Sequence, residues 1–153
     1  VGQSVRIGAV EVTATPALHE ASRRGGTPLV QPVGFRVRGT REVYAAGDTD
    51  LFPGMVDLAG ADVALLPVAG WGPVLGPGHM DALGAANALR LLRPRMAVPV
   101  HWGTLRIAGV WRLRRSTYLH AGAEFRTCAR RMAPNVRVVV PAVGDPVDLP
   151  LAR

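Results

Sequence analysis

Asp62-Val63-Ala64-Leu65-Leu66-Pro67 is an unbroken apolar run behind a single aspartate. A strand with one wet face alternates polar and apolar residues, whereas a strand apolar at every position reads as covered on both faces. The stretch therefore predicts one strand of an α/β sheet that is layered on both sides. Upstream, Phe35 and Val37, then Val43, Tyr44 and Ala45, flank Gly39 and Thr40. They read as two strands joined by a tight turn, the second leading into Gly47-Asp48-Thr49. Downstream, the Gly- and Pro-rich stretch Ala69 to Gly78 leads to Asp81. That aspartate is placed to cap a helix reaching about Leu92, with Ala82, Ala85, Ala86 and Leu89 on one face. Met96 to Val100 is a further strand and delivers His101-Trp102-Gly103-Thr104 at its end.

Further out, Ser4 to Thr15 alternates through Val5, Ile7, Val10 and Val12 and breaks at Gly8, a hairpin pattern that ends at Pro16 to His19. Glu20 to Pro32 reads as a surface loop. Beyond Thr104 come an irregular basic segment to Thr117, a helix from Tyr118 to Met132, and β structure around Val136 to Val140 and Val147 to Leu149.

The 153 residues are 48% hydrophobic and 19% charged, which fits one folded unit and excludes intrinsic disorder. No apolar run approaches the roughly 18 to 20 residues of a membrane-spanning helix, and no signal peptide is visible. With one cysteine, Cys128, no internal disulfide forms. The expectation is a reducing, cytoplasmic setting with a structural thiol. The net charge of +7 is carried by arginine alone, scattered except between Arg106 and Arg115. Without a recognition motif or interleaved aromatics it makes nucleic acid an unlikely partner. Val1, where a methionine would start a reading frame, and the strand-like opening read as a chain that begins within something larger.

Three polar motifs each follow a strand: Pro16-Ala17-Leu18-His19, Gly47-Asp48-Thr49 and Pro99-Val100-His101-Trp102-Gly103-Thr104. Two imidazoles and a carboxylate suit a borderline cation such as zinc, and a carboxylate has two oxygens with which to bridge two ions. Singly, each residue reads more simply as a satisfied histidine or a turn-capping aspartate. Together at three strand ends, they favour a metal site.

Thr15-Pro16-Ala17-Leu18-His19, Tyr44-Ala45-Ala46-Gly47-Asp48-Thr49, Asp62 to Pro67 and Val98 to Thr104 follow one another in an order that resembles the second half of metallo-β-lactamase-fold hydrolases. The branch resembled is that of the ascorbate-lactonase-like and N-acylphosphatidylethanolamine phospholipase-like enzymes. The resemblance implies a partial αββα sandwich with a mixed sheet, the whole chain being the C-terminal portion of a single such domain. It implies His19 as the third histidine of the first metal site, Asp48 as the bridging carboxylate and His101 as the last histidine of the second. Gly78-His79-Met80-Asp81 resembles a segment whose histidine lies near the metals, which makes His79 a candidate catalytic residue for substrate binding or proton transfer. The implied cofactor is two Zn2+ ions, with Mn2+ or Fe2+ as alternatives.

The implied reaction is hydrolysis of an ester, lactone or phosphodiester-type bond by metal-bound hydroxide, on a small-molecule or lipid-like substrate. The family's His-x-His-x-Asp-His motif is absent from the chain, and His120 stands in a helix without suitable partners. On His19, Asp48 and His101 alone neither ion has three ligands of its own, so the expectation is an incomplete site of poor affinity. Two other classes stand beside this one: a non-catalytic binding or assembly module derived from the fold, and a basic nucleic-acid-binding domain whose affinity would fall with salt. A half sandwich also exposes one sheet face, which predicts a homo-oligomer or pairing with a missing N-terminal half.

Overall fold

The computed structural model describes residues 1–19, 31–70, 75–103, 115–142 and 144–150. They form a seven-stranded mixed sheet in strictly sequential order. The strands are β1 (Ser4–Ile7), β2 (Val10–Pro16), β3 (Val33–Arg38), β4 (Glu42–Ala45), β5 (Val63–Pro67), β6 (Met96–Val100) and β7 (Arg137–Val138). The first four pair antiparallel, and β4 to β7 pair parallel. A parallel pair needs a crossover. A 3-10 helix (Pro53–Leu58) lies between β4 and β5, α1 (Ala82–Leu92) between β5 and β6, and α2 (Arg115–Met132) between β6 and β7.

All three crossovers lie on the same face of the sheet. Met55 and Leu58 of the 3-10 helix, Ala85, Leu89 and Leu92 of α1, and Ala121, Phe125 and Ala129 of α2 share one core with Tyr44, Ala64, Leu66 and Ala97. Directly paired residues point to one face, so the register row Thr13, Arg36, Tyr44, Ala64, Ala97, Val138 belongs to the helical side. The next row along, Val5, Val12, Val37, Val43, Val63, Met96, belongs to the other side and is apolar from β1 to β6, with Arg137 of β7 at its end. Helix α1 forms where the sequence predicts it: Asp81 accepts from Gly84 N at 2.7 Å, and Arg93 ends the helix in a left-handed conformation. Its alanines allow close packing. On this side Arg36 pairs with Glu42 at 2.8 Å and donates through Nη2 to the carbonyls of Leu58 and Ala59 at 3.0 and 3.3 Å. Tyr44 is wholly buried, which pushes its hydroxyl up to about 12.

The mixed α/β sheet with helices on one side agrees with the partial sandwich read from the sequence. Three local expectations change. The layer expected on the far side of Val63 and Leu65 is narrow: Val63, Met96 and Val98 are buried there against Val139 and Val147 of the C-terminal segment. Farther along that side Ile7 is 66% and Phe35 44% exposed. Val147 to Leu149 is not a strand, and β structure near 136–140 shrinks to the two residues of β7; β-branched spacing alone does not supply a pairing partner. Helix α2 begins at Arg115 instead of Tyr118. The loop reading of Glu20 to Pro32 falls outside the described residues over 20–30, that of Ala69 to Gly78 over 71–74, and the basic segment over 104–114.

Candidate metal centre

Two antiparallel steps take β2 through β3 to β4, so β2 runs parallel to β4, β5 and β6. The segments leaving these four strands therefore emerge along one edge of the sheet. His19 follows β2, Asp48 follows β4, His79 lies on the connection from β5 to α1, and His101 follows β6 directly. Topology alone gathers the four side chains from positions as far apart in sequence as 19 and 101.

Backbone detail then aims them. Gly47 takes φ 67°, the left-handed turn that leads into Asp48. His101 takes φ 59°, a conformation rare for a non-glycine residue and one that gathers at functional sites. Thr49 joins three segments. Its buried hydroxyl accepts from Leu18 N at 2.8 Å and donates to Asp50 O at 2.9 Å, and its carbonyl accepts from Met80 N at 3.1 Å. Asp50 N donates to Leu18 O at 2.7 Å. The segments bearing His19, Asp48 and His79 are thus tied together at one residue. Behind His101, Trp102 rests on Gly122 of α2, where an added Cβ would come within 2.7 Å of the indole.

One ligand atom each from His19, Asp48 and His79 lie within 4.8 Å of one another. His101 meets the same carboxylate, Nε2 to Oδ1 at 3.0 Å. The His79 ring stands edge-on to His19 at 4.7 Å between centroids and tilted to His101 at 5.9 Å. Each imidazole contacts a backbone carbonyl through Nδ1: His19 on Gly78 at 3.0 Å, His79 on Pro77 at 3.2 Å, His101 on Ala69 at 2.8 Å. A carbonyl only accepts, so Nδ1 carries the proton and Nε2 holds the lone pair. That is the outer hydrogen bond metal-binding histidines use to fix tautomer and direction. With Nδ1 donating to Ala69, the 3.0 Å approach of His101 Nε2 to Asp48 brings two acceptors together. Such a contact needs a cation on or between them, a proton or a metal ion. The donor set fits a borderline divalent ion.

The four residues singled out from the sequence, His19, Asp48, His79 and His101, are all brought together, while His120 is exposed on α2. His79, a catalytic candidate by resemblance, stands with His19 and Asp48 in one group of three potential ligands. Thr49 as the tie between segments was not anticipated; its place directly after Asp48 was the only signal.

Residues 1–102 match the model of the Beta-lactamase superfamily domain. A UPF0173 metal-dependent hydrolase of Caldivirga maquilingensis is 37% identical over 147 residues, 93% of this chain and 55% of that protein. The solved structure of Igni18, a metallo hydrolase of the hyperthermophilic archaeon Ignicoccus hospitalis, matches with TM-score 0.70 at 27% identity, covering 95% of this chain and 57% of that one. An isothiocyanate hydrolase from Delia radicum gut bacteria matches with TM-score 0.70, 95% of this chain and 58% of that one covered; at 17% identity it speaks for the fold alone. The chain spans about half the length of the curated relatives it matches. A non-catalytic module gains no support from relatives named as hydrolases. Among the described residues no helix is long and apolar enough to cross a membrane.

Proposed function

The chain belongs to the family of the Beta-lactamase superfamily domain, and from that premise we propose that it is the metal-holding C-terminal portion of a metal-dependent hydrolase. The observation that carries the reading is the convergence of His19, Asp48, His79 and His101 at one sheet edge, each imidazole pinned through Nδ1 to a main-chain carbonyl. In this reading His19, Asp48 and His101 hold the ions, with Asp48 shared between two positions and zinc preferred over manganese or iron. Ions bound there would acidify a water toward neutrality and stabilise the oxyanion of an ester, lactone or phosphodiester-type substrate. The side chains of this chain fix direction and charge. Asp48 supplies the negative charge that attracts the cations, the carbonyls of Ala69 and Gly78 set the imidazole tautomers, and Thr49 holds the segments in register.

The remaining ligands come, in this reading, from the part of the domain that the chain does not span. That part also covers the open sheet face around Val5, Ile7 and Phe35. Two facts support it: the apolar register row on that face, and relatives nearly twice as long as the matched segment. The test is turnover of ester, lactone and phosphodiester substrates by the full domain, with the part that supplies the remaining ligands present, before chelation, after it, and after zinc is restored. The expected result is activity that chelation abolishes and zinc returns, and that Asp48→Ala lacks. Turnover indifferent to chelation and retained in Asp48→Ala would refute a metal-dependent hydrolase.

A further inference from the structure

We propose that the end of the molecule where α1 and α2 terminate, opposite the metal edge, is a binding surface for the phosphate backbone of nucleic acid, carried by Arg90, Arg93, Arg126, Arg130 and Arg131. Charge that looks scattered along the sequence is unevenly divided. Between residues 82 and 144 the chain holds eleven arginines and one acid, Glu124, whereas residues 1–81 hold six arginines and eight acids. Such an asymmetry between two parts of one chain points to a polyanionic partner.

Folding then concentrates part of this charge. Both helices are crossovers between parallel strands, so both run back against the strands and finish at the edge opposite the histidines. The end of α1 is tied there by Gly60 N donating to Leu92 O at 2.8 Å. Arg137 N, just beyond α2, donates to Arg95 O, just beyond α1, at 3.0 Å. The two helices share one core, so their last turns come together. Arg90 and Arg93 at the end of α1 and Arg126, Arg130 and Arg131 in the last two turns of α2 are all exposed. Arg126 and Arg130, one turn apart, share a face of α2. Among the described residues none of the five is in an ion pair. Asp62, at the same edge, is already paired with Arg95 at 3.3 Å. A helix C-terminus carries about −0.5 of a charge, so the two helix ends and Glu124 offset only about two of the five positive charges.

The chemistry of the surface chooses among anions. Guanidinium is the planar donor that grips phosphate oxygens in pairs. A helix that lies on an acidic membrane sets exposed apolar side chains beside its basic ones. Among the described residues no large hydrophobic side chain is exposed in the last turns of α1 or α2. With no exposed aromatic there either, the surface meets backbone phosphates and not bases. The open sheet face lies on the other side from α1 and α2, so covering it leaves these arginines accessible. The inference stands apart from the hydrolase reading.

The test is fluorescence anisotropy of the full domain with a short fluorescein-labelled DNA duplex over a series of salt concentrations, with and without a chelator. Wild type is compared with Arg126→Gln/Arg130→Gln and with Arg90→Gln/Arg131→Gln. The control, Arg6→Gln/Arg38→Gln, removes the same charge at the antiparallel end of the sheet, and circular dichroism confirms each fold. The proposal expects log affinity to fall with log salt at a slope of about −4 to −5, about 0.9 for each phosphate met. Each helix variant should flatten the slope by about two and weaken binding about 10- to 100-fold, while the control and chelation change neither. No binding to the duplex at low salt would overturn the proposal. So would a wild-type slope in both helix variants, or binding that chelation abolishes, which would place the phosphates at the metal edge. Retention on phosphatidylserine vesicles in place of the duplex would overturn it in favour of an acidic membrane.

Discussion

The two faces of the sheet are built from the same strands and end in opposite conditions. On the helical face Tyr44, Ala64, Leu66 and Ala97 are wholly buried under the three crossovers. On the other, a single register row runs from Val5, 57% exposed, through Val12, Val37 and Val43 to Val63 and Met96, at 1% and 0%. Hydropathy along these rows would favour the open face, since the helical row carries Thr13 and Arg36; the crossovers decide the other way. Every parallel pair from β4 to β7 has its crossover helix on one side, and among the described residues the antiparallel strands β1 to β4 carry no helix between them. The stability of the chain therefore resides on the helical side, while the open side is apolar surface of the kind that marks an interface.

The sharpest way to break this comparison is Leu89→Ala on α1 or Leu66→Ala on β5. Each removes a fully buried side chain from the helical face and should cost about 2 to 5 kcal/mol in denaturant unfolding. A loss well under 1 kcal/mol at both would mean the core lies elsewhere. Next in size is Thr49→Val, which removes a buried hydroxyl and strips Leu18 N and Asp50 O of their partner. It should cost about 1 to 3 kcal/mol and weaken zinc binding as well, since it loosens the segments of His19 and His79.

A smaller effect is expected at Asp62, at the opposite edge of the sheet. The Glu42 backbone N–H, followed by Arg95 and Arg41, holds its carboxyl below the usual carboxylate range against the opposing effect of burial. A carboxylate with a lowered folded value stabilises above its unfolded value of about 3.9 and loses that contribution as pH falls through the folded one. Asp62→Asn should therefore be less stable than wild type at neutral pH, and the gap should close as the solution is acidified below about pH 4. A gap that is constant with pH would contradict this. The smallest effect is on the open face: Val5→Thr with Ile7→Thr should change unfolding free energy by no more than about 0.5 kcal/mol, while lowering self-association in sedimentation velocity. A large loss of stability would mean that this row is buried in the chain on its own.

The strands and α1 were legible in the sequence because local pattern decides them: alternation in β1 and β2, the continuous run of β5, the Asp81 cap and the alanine face of α1. The candidate site was legible as residue types at strand ends, His19, Asp48 and His101, with His79 marked by resemblance alone. What could not be read there is long-range. No local pattern tells that Thr49 bonds Leu18, that His101 turns left-handed after β6, or that Gly122 leaves room for Trp102. Val147 to Leu149 misled for the same reason, since a strand exists only with a partner and none is present among the described residues. Nor does pattern reveal that all three crossovers share one face, which is what leaves the apolar row of β1 to β3 open.

The most direct test of the account is zinc-edge anomalous diffraction from crystals of the zinc-loaded chain. The account predicts a strong peak within about 2.3 Å of Asp48 and of His19 or His101. A peak bound to other residues, or none in an intact fold, would contradict the claim that this sheet edge is a metal centre.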